Sequence, residues 1–558
     1  MVLAGLAAPL AWLLVSGARG RPAEPAAAAP GTRAVLLRPA PGGDVSSREA
    51  LRAELERALV EMAGRVPAAL PTSITIQEVA DYTAQAELTG RVGEAVAGPA
   101  GGADLVLVVH PEDLPGYRFA LARLLVDRLP AGLSLPPPLR DGAALWLSRD
   151  WYGRPFSAWV PDLVAADALP AASELLASEP RGDSSGLVAT PVAAALVEAL
   201  PGRTLAEKLA APLDPARVAR ELARLGEARG PERREPPRAT AGSWSGSPWR
   251  GVSFAMLNSV EGGYHAPVAD QSLARLSALG ANAVSIMPFA GQRGPGETHL
   301  RFFTGSPWAE TDIGCVHTSR CAHARGMQVL WKPQIWVHGS WPGALQYGDP
   351  GSWAAWWASY RRFLLHHAML AGWAGAEMLC LGVELDGTLG HTEDWRRLIA
   401  DVRRLYGGRL VYAANWYGGL EAVPFWAELD AMGIDAYYPL SSEASASPGQ
   451  LREGARAVVA RLGAAATRAG KPLLLTEVGF AARKAAWTAP FEEGGELSEA
   501  DQAASYRALF EALEGERWLK GVFVWKAFSQ EPVADRPDFR FLSRPAEGEV
   551  RRFFSRLK

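Results

Sequence analysis

Short apolar runs alternate with helix-forming stretches through the second half of the chain, and this alternation restricts the possible folds more than any other feature of the sequence. The stretches between the runs space their apolar residues as amphipathic helices do, as in 269–280, 352–373 and 500–515. Apolar strands that alternate with helices predict a parallel sheet with helices packed outside it. The eight apolar runs are 250–257, 282–290, 328–337, 377–385, 408–416, 428–438, 472–480 and 521–528.

Eight strand–helix units over residues 249–558 match the number of units and the size of a (β/α)8 barrel. An open, doubly wound sheet is the alternative, but such sheets rarely reach eight regular units, and no GxGxxG motif follows the first run. We therefore predict an α/β protein with a TIM barrel in its C-terminal half. The segment EGEVRRFFSRLK at the end of the chain predicts a closing helix.

A smaller domain is predicted before the barrel, because 558 residues are too many for one ordinary domain. Residues 228–248 are rich in Arg, Pro, Glu and Ser and have almost no aliphatic side chains, which predicts a linker rather than part of a core. Before this linker, residues 34–227 combine strand-like runs at 34–39 and 103–110 with amphipathic helices such as 47–64. We therefore predict an α+β domain there.

The first twenty residues resemble a secretory signal peptide. An apolar stretch at 2–15 precedes the small residues of 18–20, which suit signal peptidase, although no Lys or Arg stands before the apolar stretch. The alternatives are an uncleaved anchor and a misassigned start codon. Removal of residues 1–20 would leave a Pro/Ala linker, 21–33, at the mature N-terminus. We expect an exported protein, periplasmic or extracellular, without stable membrane insertion.

Composition argues against several kinds of partner and site. Charged residues make up 21% of the chain and the formal net charge is −3, so neither a nucleic acid nor an anionic membrane is an expected partner. The three cysteines, Cys315, Cys321 and Cys380, form no CxxC pair and do not predict a zinc site. The sequence does not predict the oligomeric state.

Candidate functional residues lie at the C-terminal ends of the predicted strands, where (β/α)8 barrels have their active sites. The fourth strand ends on Glu384 and the seventh on Glu477. Burial of an ionised carboxylate at the tip of an apolar strand is costly unless something pairs with it, so we predict a polar pocket around both acids. The predicted binding residues are Lys332, Gln334, Trp336 and His338 with the third strand, Asn415 with the fifth, Tyr437 with the sixth, Trp525 with the eighth, and Trp308 after the second.

This set of side chains suits a sugar. Aromatic rings pack on the apolar face of a pyranose, while amides and carboxylates bind its hydroxyl groups. Paired carboxylates are the usual catalytic groups of glycosidases, and a separation of about 5–5.5 Å makes one of them a nucleophile and retains the anomeric configuration. The acid/base then needs a pKa raised by burial or by a neighbouring charge. We expect Tyr437 to hold the ionised nucleophile by a hydrogen bond.

Several stretches are similar to glycoside hydrolase family 113, and their order and spacing match the family over residues 249–528. They are LWKPQIWVHGSW (330–341), LGVEL (381–385), WRRLIADVRRLYGGRLVYAANW (395–416), IDAYYPL (434–440), LLLTEVGF (473–480) and VWKAF (524–528). The resemblance implies a retaining hydrolase with Glu384 as general acid/base and Glu477 as nucleophile. It also implies endo-acting hydrolysis of β-1,4-mannan or a related hexose polymer.

At one position the chain departs from the wider clan of these barrels. In much of that clan an Asn precedes the acid/base and binds the sugar 2-hydroxyl, whereas Val383 stands there in this chain. Asn415 and Gln334 are the candidates for that contact. For Lys332 the sequence leaves a second possibility open, which is that it only pairs with a carboxylate inside the barrel, for instance Asp435.

Other predicted site residues also have alternatives. Trp525 is either a platform for a sugar ring or part of the core, and Trp308 either lines the cleft or caps a helix. His338 and His391 lie near the predicted mouth, where a lone histidine is more often a hydrogen-bonding group than a metal ligand. The sequence contains no HExxH motif, so we predict neither a catalytic metal nor a cofactor.

The helices of the first domain resemble the helical half of gluzincin-type zinc peptidases, in which HExxH opens one helix and a Glu on the next completes the site. Phe119, Ala120 and Arg123 stand where His, Glu and His would be expected, and Asp141 stands near the position of the third ligand. The resemblance implies a domain that has lost its zinc and is not a peptidase. Its role is then structural, or it binds a partner or glycan.

Two other functions compete with a glycosidase that acts on a polysaccharide or oligosaccharide. One is a non-catalytic glycan-binding or scaffold protein on the same barrel. The presence of both Glu384 and Glu477 argues against it, because a decayed enzyme often loses one acid. The other is a peptidase in the first domain, and the missing histidine ligands argue against that.

Overall fold

The structure is a computed structural model with a small α+β part followed by a barrel. It describes residues 34–38, 45–66, 73–93, 95–97, 103–108, 116–129, 133–177, 185–227, 246–302, 306, 308–532 and 536–557. The predicted signal peptide, the linker 21–33 and most of the linker 228–248 lie outside these residues. Among the helices within them, none has the length and apolar character that a bilayer span requires.

The N-terminal part contains a four-stranded sheet in the order β1-β2-β4-β3, in which β3 is antiparallel to β4 and the other neighbours are parallel. The predicted strands 34–39 and 103–110 and the predicted helix 47–64 are confirmed as β1, β4 and α1, with shifted ends. The strands are β1 (Ala34–Arg38), β2 (Ser73–Val79), β3 (Ala95–Ala97) and β4 (Leu105–Val108), with a hairpin of β5 (Asp150–Trp151) and β6 (Arg154–Pro155). The helices are α1 (Val45–Ala63), α2 (Tyr82–Thr89), α3 (Gly116–Asp127), α4 (Pro137–Ser148), α5 (Phe156–Ala165), α6 (Ala172–Leu175), α7 (Ser185–Ala199), α8 (Leu205–Lys208) and α9 (Pro215–Glu227).

The C-terminal part is a closed barrel of eight parallel strands, which confirms the predicted (β/α)8 fold. Its strand order is β7-β8-β11-β13-β14-β15-β16-β17, and β17 pairs with β7 to close it. The barrel and rim strands are β7 (Trp249–Ala255), β8 (Ala283–Ile286), β9 (Phe289–Gln292), β10 (Arg301–Phe302), β11 (Gln328–Trp331), β12 (Gln334–Val337), β13 (Met378–Val383), β14 (Arg409–Asn415), β15 (Met432–Asp435), β16 (Leu473–Val478) and β17 (Leu519–Phe528). The outer helices are α10 (Pro267–Leu279), α11 (Asp312–His323), α12 (Pro350–Ala374), α13 (Thr392–Leu405), α14 (Pro448–Ala469), α15 (Glu499–Leu513) and α16 (Pro545–Arg556).

The second and third apolar runs are each two strands, where the sequence predicted one. The breaks fall at Pro288 and Pro333, because a proline has no N–H to donate to the sheet and fixes its own φ. The first piece of each run, β8 or β11, stays in the barrel, while β9 and β12 pair with each other above it. With β10 they form a three-stranded sheet at the mouth of the barrel.

The connection from β14 to β15 also differs from a regular strand–helix unit. Residues 416–431 contain two short 3-10 turns, Leu420–Ala422 and Trp426–Glu428, instead of an outer α-helix. The long outer helix α12 begins at a capping side chain. The Asp349 carboxylate accepts the Ser352 N–H at 2.9 Å at its start.

The two parts of the molecule share one continuous apolar core. Tyr152, at the turn between β5 and β6, packs its ring against Trp373 of α12 with centroids 4.8 Å apart. The Arg361 side chain of α12 donates to the carbonyl oxygen of Ala166, directly after α5. The N-terminal part is therefore packed against the outer helices of the barrel, on the side of α12.

Candidate active site

Four charged side chains lie at the C-terminal ends of the barrel strands. Lys332 directly follows β11, Glu384 directly follows β13, Asp435 ends β15, and Glu477 is the last residue but one of β16. Asp435 and Glu477 pair across the neighbouring strands, so they lie at the same level of the barrel. Lys332 is separated from them by 103 and 145 residues in sequence, and only closure of the barrel brings the three together.

Lys332 is fully buried and contacts two of the carboxylates. Its Nζ donates to Asp435 Oδ1 at 3.0 Å and to Asp435 Oδ2 at 3.2 Å, and it also donates to Glu477 Oε1. The structure therefore shows the pairing with Asp435 that the sequence left open as an alternative to a sugar contact, and the contact with Glu477 comes in addition. Since the Lys332 side chain is 0% exposed, these two acids provide the counter-charge that a buried ammonium group requires.

The charges in this cluster shift one another's protonation. Burial lowers the pKa of Lys332, but the negative charges of Asp435 and Glu477 outweigh this and raise it above its ordinary value. Burial, and next the charge of Glu477, raise the pKa of Asp435 to about 7. Lys332 and the Thr476 hydroxyl, which donates to Asp435 Oδ1 at 2.7 Å, oppose that rise. The single positive charge of Lys332 thus faces two carboxyl groups, Asp435 and Glu477, and cannot neutralise both.

Both oxygens of Glu477 accept a hydrogen bond. Lys332 donates to Oε1, and the Tyr437 hydroxyl donates to Oε2 at 2.7 Å, which confirms the hydrogen bond expected from the sequence. Burial and the charge of Glu477 raise the pKa of Tyr437 well above its ordinary value, so its phenol stays protonated as a donor. Two donors on a carboxylate that is only 6% exposed stabilise its ionised form.

Glu384 has different surroundings. Its backbone has a φ of 52°, a left-handed conformation that is uncommon for a residue other than glycine, and its N–H donates to Ala413 O at 2.9 Å on the next strand. Glu384 is partly exposed as a residue, but protein atoms surround its carboxyl group. Burial, and next the charges of Asp435 and Glu477, raise its pKa well above the ordinary value, which favours the protonated form of this acid.

The indole of Trp341 is the donor that contacts Glu384. Its Nε1 donates to Glu384 Oε2 at 3.0 Å, and the ring itself is 40% exposed at the mouth. Trp341 is not among the site residues predicted from the sequence, although it ends the stretch LWKPQIWVHGSW on which the family resemblance partly rests. Its position at the end of a motif that begins on a barrel strand was the signal that could have identified it.

Two of the predicted binding residues lie beside the charged cluster. Asn415 pairs in register with Asp435, is 7% exposed, and accepts the Tyr417 N–H at 2.7 Å through its side-chain oxygen. This oxygen therefore stabilises the turn after β14. Trp525 is half-buried and packs against a cluster that includes Tyr437. The structure thus places Trp525 between the two alternatives considered for it, a platform and part of the core.

The other predicted binding residues lie farther out. Gln334 and Trp336 belong to β12 in the sheet above the barrel, and the exposed His338 follows it. The Nε2 of Gln334 is buried and has no hydrogen-bond partner among the described residues, whereas Trp336 is 48% exposed. Trp308 is 58% exposed in the loop between β10 and α11. The hydrogen bonds of the charged cluster, as far as the structure describes the chain, do not reach these four side chains.

A further aromatic contact at the mouth was not predicted. Trp416 stacks on Phe491 with ring centroids 5.4 Å apart and planes 17° from parallel, and Phe491 is 48% exposed. Tyr417, next in the chain, is 80% exposed. Trp416 and Tyr417 follow the fifth barrel strand, β14, and Phe491 comes after the seventh, β16. The rings therefore belong to loops at the end of the barrel that holds the two acids.

The two acids differ in their surroundings. The raised pKa of Glu384 suits a proton donor, while Glu477 accepts a hydrogen bond at each of its oxygens. A pair of this kind can protonate a leaving group while the anion attacks or stabilises positive charge.

A separate group of potential metal ligands, Asp270, His317 and Cys321, lies outside the barrel on α10 and α11.

Comparisons with known proteins match the barrel part of the chain to a family. A family model described as Glycoside Hydrolase Family 113 matches residues 252–537. The GH113 β-mannanase AaManA from Alicyclobacillus acidocaldarius, solved in complex with ManMIm, is 27% identical, with a TM-score of 0.51 over 57% of this chain and 100% of that one. A solved complex of a GH113 β-1,4-mannanase is 23% identical, with a TM-score of 0.49 over 56% of this chain and 99% of that one. Among curated proteins, no match was found.

Proposed function

The chain belongs to glycoside hydrolase family 113, and we propose that it hydrolyses a β-linked polysaccharide by a retaining, two-step displacement. The proposed substrate is β-1,4-mannan or a related hexose polymer, because the similar protein AaManA is a β-mannanase. The observation that carries the proposal is the contrast between the two carboxyl groups. The raised pKa of Glu384 favours its protonated form, and Glu477 accepts hydrogen bonds from Lys332 and Tyr437 at its two oxygens.

In the first step Glu477 attacks the anomeric carbon while Glu384 gives its proton to the leaving glycosidic oxygen. The bond from the anomeric carbon to Glu477 forms as the glycosidic bond breaks, and the shortened polymer leaves as an alcohol. Lys332 and Tyr437 fix the direction of the attacking carboxylate by donating to its two oxygens. Trp341 does the same for the acid by donating to Glu384 Oε2.

In the second step Glu384, now ionised, takes a proton from a water molecule. The resulting hydroxide attacks the anomeric carbon, the ester bond to Glu477 breaks, and the sugar leaves with its original anomeric configuration. Glu384 is protonated again and Glu477 is again an anion. The high pKa of Glu384 suits both steps, because its free acid and its conjugate base are each used once.

The first test is release of reducing ends by the purified chain from β-mannan, glucomannan, β-glucan, xylan and chitosan. We expect release from mannan or glucomannan, and its loss in Glu477→Ala. A matched control is Glu421→Gln, because Glu421 is an exposed acid that pairs with Arg468 at the surface. No release from any polymer by the folded chain, combined with retained binding to one of them, would favour the glycan-binding alternative.

A second test separates the roles of the two acids. An aryl β-glycoside with a good leaving group does not need acid assistance, so Glu384→Ala should still release the phenol, and added azide should give a β-glycosyl azide. Azide added to Glu477→Ala should give the α-azide instead, because it would attack from the face that the carboxylate has vacated. The same azide anomer from both variants would contradict the assignment. Proton NMR of the first product anomer tests retention in the unaltered protein.

A further inference from the structure

A group of three potential metal ligands lies outside the barrel, away from the proposed catalytic cleft. Asp270 belongs to α10, and His317 and Cys321 belong to α11. One ligand atom from each residue lies within 4.8 Å of the other two. Because His317 and Cys321 are four residues apart on a helix, both project from the same face, toward α10.

The distances between these atoms suit the edges of a tetrahedral metal site. His317 Nε2 lies 3.5 Å from Asp270 Oδ1 and 3.6 Å from Cys321 Sγ. Zinc bonds of about 2.0 Å to nitrogen and oxygen and about 2.3 Å to sulfur, at tetrahedral angles, place the N and O atoms about 3.3 Å apart and the N and S atoms about 3.5 Å apart. The N···O distance is also longer than an ordinary hydrogen bond.

The carboxylate of Asp270 gives a second, independent indication. Among the described residues, its buried Oδ1 accepts no hydrogen bond of ordinary length. A buried carboxylate oxygen without a close donor is costly, and a bound cation would offset that cost. Oδ1 is also the atom that lies nearest to His317 Nε2.

We propose that Asp270, His317 and Cys321 bind a divalent late transition metal ion, with Zn²⁺ as the best match. A thiolate, an imidazole and a carboxylate together favour zinc-like ions over Mg²⁺ or Ca²⁺, which take oxygen ligands. On binding, the Cys321 thiol gives its proton to solvent and the Sγ–metal bond forms. A water molecule would take the fourth coordination position of the metal ion. Cysteine spacing argued only against a zinc site made of the three cysteines, whereas one of these three ligands is a cysteine.

The site would stabilise the contact between the barrel and the N-terminal part. The Tyr82 ring of α2 packs edge-on against His317, with centroids 5.7 Å apart. Ile313, one turn earlier on α11, packs in the same apolar cluster as Tyr82. A metal that links α10 to α11 would therefore hold the surface on which α2 rests. The guanidinium of Arg325 lies close by, where it donates to the Cys321 carbonyl oxygen at 2.8 Å, and the two anionic ligands offset its charge.

Cobalt(II) is a suitable probe, because a Co²⁺–thiolate bond gives a charge-transfer band in the near ultraviolet. The full chain would be treated with a chelator, freed of it, and titrated with Co²⁺. We expect one equivalent to bind with a thiolate band, and Zn²⁺ to abolish that band by displacement. Absence of a thiolate band in the folded chain would overturn the proposal.

Variants identify the ligands. Cys321→Ser should lose the band, and His317→Ala and Asp270→Asn should each weaken Co²⁺ binding at least tenfold. The matched control is His323→Ala, because His323 is on the same helix but pairs with Glu377 at 3.3 Å; it should bind Co²⁺ as the unaltered chain does. A band that persists in Cys321→Ser, or that His323→Ala removes equally, would place the metal elsewhere. Polysaccharide hydrolysis should not change in the folded variants, so this test is independent of the proposed function.

Discussion

The barrel and the N-terminal part each hold a cluster of charged side chains where the sequence suggested a catalytic site or the remains of one. In the barrel, Lys332 contacts Asp435 and Glu477, and the three side chains are at most 8% exposed. In the N-terminal part, Arg123 contacts Asp141 at 2.5 Å, but these side chains are 24% and 35% exposed. The barrel cluster joins distant parts of the sequence and is shielded from water, whereas Arg123 and Asp141 are 18 residues apart and partly exposed.

The difference in burial separates a cluster that is costly to maintain from one that is not. Several ionisable groups inside a protein cost free energy in desolvation, and their attraction for one another only partly offsets that cost. An exposed ion pair contributes about 0–1 kcal/mol in either direction and requires no special explanation. The buried cluster is therefore the one that indicates a function, and the exposed pair is what an ordinary folded surface provides.

The largest expected effect is that of Lys332→Met, which removes the only cation contacting Asp435 and Glu477 in the described cluster. We expect the free energy of unfolding to fall by about 3–5 kcal/mol, because breaking a buried ion pair leaves an uncompensated charge. We also expect kcat to fall about 100- to 1,000-fold through the loss of a preorganised donor to Glu477. Urea unfolding and steady-state kinetics on the best polymer measure the two effects.

The double variant Lys332→Met/Asp435→Asn is the control for this prediction. It removes one charge of each sign, so it should lose less stability than the sum of the two single variants. If Lys332→Met kept kcat within threefold, the contact with Glu477 would have no part in the reaction. The buried charges of the barrel would then be without a catalytic role, as is expected for Arg123 and Asp141.

A smaller effect with a distinct pH signature is expected for Asp435→Asn. The charge of Asp435 raises the pKa of Glu384, so its removal should lower that pKa. Glu384 must be protonated for the first step, and the alkaline limb of kcat/KM should therefore move to lower pH.

Asp401→Asn is the matched control for the pH effect, because Asp401 pairs with Arg361 at 2.8 Å among the outer helices. It should leave the pH profile of kcat/KM unchanged. An alkaline limb that stayed in place in Asp435→Asn, or moved to higher pH, would show that Asp435 does not set the protonation of Glu384.

The sequence predicted the barrel and its acids well because strand ends follow from apolar periodicity. Eight apolar runs predicted eight strands, and the phase of each run predicted which side chains meet at one end. The pairing of Lys332 with Asp435 was only an alternative to a sugar contact at the level of the sequence, and the structure shows it. The breaks at Pro288 and Pro333 were missed, although a proline within an apolar run is a recognised sign of a strand's end.

The remaining parts of the site depend on loops, whose conformation the sequence pattern does not specify. The bond from Trp341 to Glu384 rests on the path of the chain after β12, and the use of the Asn415 side chain in a local turn rests on the residues that follow β14. The shared core of the two parts was also not predicted, because periodicity locates an apolar face but does not identify the surface that covers it.

Trp341→Phe tests the donor to Glu384 while keeping an aromatic ring at the mouth. The indole hydrogen bond lowers the pKa of Glu384, so its loss should raise that pKa and move the alkaline limb of kcat/KM to higher pH, opposite to Asp435→Asn. We expect a loss of about 1 kcal/mol in transition-state stabilisation, roughly fivefold in kcat/KM. Trp341→Ala should add a rise in KM, because it also removes the ring. A limb that moved to lower pH in Trp341→Phe would contradict the assignment.

The smallest effect is expected in the N-terminal part, for Asp141→Asn. Asp141 pairs with Arg123, which also contacts Asp127, so the guanidinium keeps a partner when the charge of Asp141 is removed. An exposed pair of this kind contributes about 0–1 kcal/mol, and the free energy of unfolding should change by no more than that. Hydrolysis and its pH profile should stay the same, because the pair lies outside the barrel. A loss of several kcal/mol, or any change in kcat, would mean that the exposed cluster has a role like that of the buried one, and burial would then no longer distinguish the two.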